Sequence, residues 1–434
     1  MYGHRGIWTR HSTIEGWRGL DPQELDDAIT ERAETAFSFL ERLVAAPSTV
    51  GREHEAQGVV EQELKRLGFE VERLPIPDGI ATDPLAGVPQ LSYGGRFDVI
   101  GRSGAGQGPS LLLNGHIDVV PAEQPDRWAS PPFEPRREGD RLYGRGAGDM
   151  KGGFAMAALA LDALRATDRD AIAGPLTFVS VIEEECTGNG TLAAARAGVL
   201  ADAVILPEPT GLELLLAGVG ILWLDVVITG RSAHAEAADR VVNPVDLAIP
   251  VVEALRDLER EMNADIELSM DGVAHPYNIN VGTFAAGDWP SSVPAIATLR
   301  LRVGHPTAWT ADEAEARVRR AIDEIGEPWL RDHPPAIRPS GFRARGYALP
   351  EDDPLAERLA AAHKAAHGVR PRATPIASTT DARLYLNDFR VPALCYGPAA
   401  HDIHGIDESI ELSSIVAGAR TLARFIAGWY GDAR

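Results

Sequence analysis

In "LLLNGHIDVVP", residues 111–121, an apolar run ends in His116 and Asp118 on alternate positions, so an imidazole and a carboxylate arrive together at the end of a buried strand. Acids and histidines recur in the same setting. Glu183, Glu184 and Glu185 follow "LTFVSVI", Glu208 follows "DAVIL", and His401 and His404 come shortly after "VPALCYG". Asp149 lies in "GRGAGDMKGG", a glycine-rich loop that opens onto a helical stretch. The set offers imidazole and carboxylate without thiolate, which is the ligand chemistry of a hydrolytic zinc, cobalt or manganese site. Each piece alone has an ordinary reading: a hydrogen-bonded His-x-Asp pair, a solvated face for the triple Glu, a turn for Glu-Pro-Thr. Their conjunction is different, because acids placed directly after apolar strands are costly there without a cation or other partners. On pattern alone, both the metal site and the ordinary readings stay open.

The elements that would position these groups follow from periodicity. Residues 25–67 carry apolar positions at helical spacing in two stretches, the second ending at Gly68. Apolar β-type runs then alternate with Ala-rich helical stretches, which predicts a mainly parallel sheet with helices on both faces, an α/β fold. In such sheets ligands bind beyond the carboxyl ends of the strands, where His116, the glutamates and His404 fall. Near residue 219 the style changes. "GILWLDVVITG" and "IATLRLRVGHP" alternate like half-buried strands, and two amphipathic helices accompany them, the first with Asn243 as N-cap and Pro244 at its first position. The expectation is a catalytic domain in two parts, 1–218 (with an N-terminal extension over about 1–24) and 341–434, interrupted by an inserted α+β domain at 219–340.

Bulk properties exclude several classes. The 434-residue chain, 44% apolar and 24% charged, has no run long enough for a membrane span and no secretory-signal pattern at its start. A net charge of −21 argues against nucleic acid and anionic membranes as partners. Two cysteines, Cys186 and Cys395, exclude a disulfide scaffold and point to the cytoplasm.

The motifs "NGHIDVVP", "WASPPFEPRREGDRLYGRGAGDMKGG", "EEECTGNGT", "PEPT", "GRSAHA" and "GPAAHDIHGIDE" occur in an order that resembles the two-metal aminoacylase and deacetylase family. That family includes acetylornithine deacetylase, succinyl-diaminopimelate desuccinylase, aminoacylase and the glutamate carboxypeptidases, and the resemblance spans roughly residues 35–425. It implies a zinc-exopeptidase-like sheet, a ferredoxin-like lid and dimerisation domain as the insert, and a homodimer. It also implies two divalent ions, zinc first, with cobalt or manganese as alternatives. By position it makes His116 and Glu208 ligands of one metal, Glu185 and His404 ligands of the other, and Asp149 the bridge. Asp118 becomes the group that orients His116. Glu184 becomes the general base, with a one-residue slip within the triple Glu as the alternative, and His401 is the rival of His404.

The implied chemistry is attack by a metal-activated hydroxide on an amide carbonyl, Glu184 carrying the proton from water to the leaving amine. His234, from a partner subunit's insert, is the implied oxyanion donor. Arg302, on the same face as Arg300, matches the carboxylate-binding position, and its ordinary reading is a surface arginine. Thr379 and Asp381 in "STTDAR" fall where the family has a glycine-rich substrate loop, and Ser291 stands where many members have Asn. The expected function is removal of an N-acyl group from an N-acyl amino acid or related amine. A dipeptidase or carboxypeptidase of the same family is the alternative, and a non-catalytic amino-acid or peptide-binding protein on the same fold is the rival from another class.

Overall fold

A computed structural model describes residues 21–431 apart from 105, 107, 169 and 170. The expected N-terminal extension lies, as far as residue 20, outside the described residues. The first helix, Pro22–Ala45, begins within the expected N-terminal extension, ahead of the periodicity read from about residue 25. Asp21 accepts from Gln23 N and proline occupies the first turn. Its buried face carries Leu25, Ile29, Phe39, Leu40 and Leu43 at helical spacing. A second helix, His54–Arg66, follows.

The helix Gly152–Thr167 is almost wholly buried, packed against Pro22–Ala45 and the C-terminal helix Leu412–Gly431. Its alanines and glycines are what permit this, since small side chains let neighbouring helices approach closely. Gly153 is the tightest case. A Cβ there would overlap the carbonyl of Pro207, the residue before Glu208.

Among the described residues the large sheet has nine strands. From one edge its path runs Glu70–Pro75, Phe97–Ser103, Leu176–Val181, Leu111–His116, Ala203–Leu206, Ala393–Cys395, Leu214–Gly218 and Tyr347–Ala348, while Ala373–Ile376 also pairs with Leu214–Gly218. The four central strands, Leu176–Val181 to Ala393–Cys395, run parallel, and the pairings that flank them are antiparallel except that of Ala373–Ile376. The sheet is therefore mixed, parallel where the site lies. Leu111, Leu112 and Leu113 are fully buried in it, each contributing about 1.5–3 kcal/mol of apolar burial.

A separate four-stranded antiparallel sheet is built from Gly220–Thr229, Ile279–Ala286, Ile296–His305 and Ala336–Ala344. Helices Pro244–Met262 and Ala311–Asp323 complete a strand-helix-strand-strand-helix-strand unit of ferredoxin-like order. Asn243 caps the first helix by accepting from Val245 N at 3.0 Å, and Thr310 with Glu313 forms a capping box on the second. This unit has a hydrophobic cluster of its own, with Leu222, Leu224, Val226 and Ile228 facing the two helices.

A third, small sheet pairs Ala400–His401, Ser409–Glu411, Arg141–Tyr143 and Arg136–Glu138. It ties the loop containing His404 to the loop containing Asp149. No helix among the described residues is long and apolar enough to cross a membrane.

Candidate metal centre and active site

The site forms where the parallel strands end. Leu111–His116 delivers His116, Leu176–Val181 leads into the triple Glu, Ala203–Leu206 leads to Glu208, and the segment after Ala393–Cys395 brings His404. Asp149 lies between the two imidazoles. Its Oδ1 is 3.1 Å from His116 Nε2 and its Oδ2 is 3.3 Å from His404 Nε2. Glu185 Oε2 is 3.1 Å from His404 Nε2, while Glu208 Oε2 is 3.9 Å from His116 Nε2. Glu184 Oε2 reaches to 4.0 Å from the same nitrogen. The three residues His116, Asp149 and Glu185 each offer a ligand atom within 4.8 Å of the others.

The charges of this cluster fit divalent cations. Burial opposes ionisation of the Glu184 and Glu208 carboxyls, and neighbouring acids add to it, so Glu184 is pushed well up and Glu208 up to about 8. Burial also opposes charge on the two imidazoles, yet the acids around them outweigh it. His116 is pushed well up, by Asp149 above all, and His404 up to about 11, by Glu185 and Asp149. Two buried carboxyls and two imidazoles that hold protons above their ordinary ranges in one cluster fit a pocket whose compensating charge comes from bound cations. His116 Nδ1 donates to the main-chain carbonyl of Asp118 at 2.9 Å, which leaves Nε2 free to act as a ligand atom toward Asp149.

Asp118, expected to orient His116, meets the ring through its main chain. Its carboxylate Oδ1 is 3.7 Å from His116 Nδ1, so the short contact to the ring is made by the backbone. The carboxylate instead accepts the backbone N–H groups of Glu184 and Glu185, both at 3.1 Å. One residue thus orients the imidazole and the glutamate turn together. Burial pushes Asp118 up to about 7.

The triple Glu divides by direction. Glu183, fully buried with φ +61°, turns away to pair with Arg96 and accepts from Tyr93 OH at 2.7 Å and Thr187 Oγ1 at 3.0 Å. Glu184 and Glu185 face the cluster. His401 pairs with Glu411 at 2.7 Å, whereas His404 stands at the site.

Sequence reasoning missed Glu408. Its Oε1 accepts Gly148 N and Asp149 N at 2.9 Å each, and its Oε2 accepts Gly146 N at 3.1 Å and Arg145 Nη1 at 2.6 Å. Arg145 also donates to the carbonyls of His404 and Gly405, so this buried pair locks the Asp149 loop to the His404 loop. The only signal was its place in "HGIDE". The peptide bond from Asp149 to Met150 is cis.

A cavity of about 510 Å³ opens onto the cluster and is lined by Glu184, Glu185, Glu208, His404, Arg302 and Thr379, among others. Arg300 is paired outward with Asp225 at 3.1 Å, so only Arg302 of the two arginines reaches the cavity. Asp381 does not line it, being buried against Thr191 and Arg383. His234 is exposed, accepts from Glu236 N at 3.2 Å, pairs by its backbone with Ser292, and is not among the cavity residues of its own chain. Ser291 lends its carbonyl to Ala235 N.

Comparison with known proteins accords with this geometry. Succinyl-diaminopimelate desuccinylase of Methylobacterium sp. (strain 4-46) is 30% identical over 410 residues, covering 91% of this chain and 96% of that protein. N-formyl-4-amino-5-aminomethyl-2-methylpyrimidine deformylase of Halalkalibacterium halodurans is 26% identical, covering 94% and 97%. The solved structure of the dipeptidase Dug1p from Saccharomyces cerevisiae superposes with a TM-score of 0.79 at 17% identity, covering 95% of this chain and 99% of that one, a likeness of fold. The family described as Peptidase family M20/M25/M40 matches residues 112–428. With its strand-end cluster of imidazoles and carboxylates, this chain belongs to peptidase family M20/M25/M40 and is a metal-dependent amide hydrolase.

Proposed function

We propose that the enzyme removes the N-acyl group of an N-acyl amino acid or related amine at a two-metal centre. The observation that carries this is the Asp149 carboxylate, which offers one oxygen toward His116 and the other toward His404. His116, Asp149 and Glu208 would hold one divalent ion, and Asp149, Glu185 and His404 the other, zinc being the first expectation and cobalt or manganese the alternatives. Ions bound there supply Lewis-acid polarisation of the amide carbonyl and acidify a water. Glu184 takes the proton of the attacking water and hands it to the amine as the C–N bond breaks, a base-then-acid role. Arg302 and Thr379 receive the substrate carboxylate.

We assign residues 219–340 to a lid and dimerisation domain inserted between 1–218 and 341–434. Its edge strand Ile279–Ala286 is exposed along most of its length, Phe284 included, which supports pairing with a second copy. That dimer would bring His234 of one subunit to the other's site as the oxyanion donor. Both cysteines are unbridged, which supports a reducing compartment such as the cytoplasm.

The second reading, a dipeptidase, is favoured by the fold likeness to a dipeptidase. The discriminating experiment is hydrolysis of N-acetyl amino acids against dipeptides, before and after chelation and after return of zinc, cobalt or manganese. Loss on chelation, recovery with metal and preference for N-acyl amino acids are expected. Full activity in a metal-free preparation, verified by elemental analysis, overturns the reading.

A further inference from the structure

Three residues stand in a row across the end of the second sheet that overlooks the cavity. Arg302 is the direct pairing partner of Trp223, and the Trp223 ring meets Phe342 edge-on, centroids 5.5 Å apart and planes at 85°. All three line the cavity. The row depends on an irregularity in the last strand, where pairing slips between Pro339 and Arg343. Gly341 lies in that bulge. A Cβ there would overlap the indole, so glycine is what allows the ring its place. From the opposite side Val88 N donates to Gly341 O at 2.8 Å and Gln90 Nε2 to Ser340 O at 2.6 Å, pinning the bulge to the large domain's loop.

The members of the row differ in chemistry. Arg302 donates to Asn278 Oδ1 at 2.6 Å and to the Ala377 carbonyl at 3.0 Å, both neutral acceptors, and no carboxylate pairs with it among the described residues. Its charge is therefore left for an incoming anion. Thr379 Oγ1, also lining the cavity, is buried without a partner among the described residues. Trp223 and Phe342, continued by Ile221 and Ile376, are apolar wall. Among the described residues that line the cavity, Arg302 is the only lysine or arginine.

Residues directly opposed on neighbouring strands hold their Cβ atoms about 5 Å apart. A substrate held by its anion at Arg302 therefore places the group beside that anion next to the indole. In an N-acyl amino acid, that group is the side chain on the carbon that bears the carboxylate.

We propose that Trp223 and Phe342 form the pocket for the side chain of the leaving amino acid, so that the preferred substrates release an α-amino acid with one carboxylate and an aromatic or branched aliphatic side chain. The proposal rests on the reading of the site as an N-acyl amino acid hydrolase. A second carboxylate on the leaving amino acid would be pressed against the rings with no cation to receive it, which disfavours acidic side chains.

The test uses the full-length, metal-loaded enzyme and four probes: N-acetyl-L-phenylalanine, N-acetyl-L-leucine, N-acetylglycine and N-acetyl-L-glutamate. The phenylalanine and leucine compounds should exceed the glycine compound in kcat/KM by about tenfold or more, and the glutamate compound by about a hundredfold. Trp223→Ala should bring the phenylalanine-to-glycine ratio to within about threefold, while Trp223→Phe retains most of it and Phe342→Leu lowers it in part. Product inhibition gives a second reading. Free L-phenylalanine should compete more strongly than glycine in the wild type, and this difference should vanish in Trp223→Ala. Hydrolysis without side-chain preference, or a ratio that survives Trp223→Ala in a protein of native circular dichroism, overturns the proposal alone. No hydrolysis of any of the four with metal bound overturns the reading of the site and the proposal with it.

Discussion

Replacing Glu408 by Gln keeps the size of the side chain and removes one acceptor oxygen and a negative charge from a place where four donors converge. Glu408 is 1% exposed and its partner Arg145 is 2% exposed, so neither can turn to water. Whichever way the amide is turned, its NH2 group faces donors: either Gly148 N and Asp149 N, or Gly146 N and Arg145 Nη1. Leaving a buried charge without its partner costs about 3–5 kcal/mol, and each stranded backbone donor about 1–3 kcal/mol before relaxation. These terms overlap, and a net loss of about 3 kcal/mol is expected because Arg145 keeps its bonds to the His404 and Gly405 carbonyls. The same loop carries Asp149, so the loss should appear as metal affinity weakened about 10–100-fold. Isothermal titration of the metal-stripped Glu408→Gln variant with zinc, beside denaturant unfolding of the metal-free protein, measures both effects. Wild-type affinity together with wild-type stability would refute the claim that Glu408 holds the bridging carboxylate in place.

Two further outcomes follow from other parts of the molecule. His305 is fully buried and burial pushes it down to about 4; above pH 6.5 it is neutral folded or unfolded, but on acidification the unfolded chain takes the proton first, so about 3 kcal/mol of stability should be lost as pH falls from about 6.5 to about 4. The His305→Gln variant should show a shallower fall in unfolding free energy across that window, and an unchanged slope would contradict the assignment. His234→Ala and Glu184→Gln subunits, each nearly inactive alone, should recover about a quarter of wild-type activity when mixed and exchanged, because one site of each heterodimer has both groups intact; exchange without recovery would place His234 outside the partner's site.

What the sequence makes legible here is what local pattern controls. The strand ends are visible because runs such as Leu111–Leu113 are apolar and stop abruptly at polar groups, and His116, Glu185 and Glu208 fall at or just after those stops, while Asp149 is marked by its glycine-rich loop. The helix start at Asn243 is visible through its cap. Other features depend on distant register. The antiparallel flanks of the large sheet are set by which strands meet, and periodicity within a strand carries no direction. Alternation puts Arg300 and Arg302 on one face, but only the position of Asp225 across the sheet separates a surface ion pair from a cavity arginine. The row of Trp223, Arg302 and Phe342 joins three strands through a bulge and has no local signature. Asp118 shows a third kind of limit, since its type was informative while the atom that meets His116 is a backbone carbonyl.

Metal stoichiometry of the Glu184→Gln variant tests the central claim most directly. Glu184 is proposed as the base and not as a ligand, so elemental analysis of the zinc-loaded variant should give two ions per chain while turnover of an N-acetyl amino acid falls by about 10²–10⁴-fold. Glu185→Gln, the neighbouring control, should lose occupancy of one site. A Glu184→Gln protein that binds fewer than two ions, or that binds two and turns over at the wild-type rate, would contradict the account.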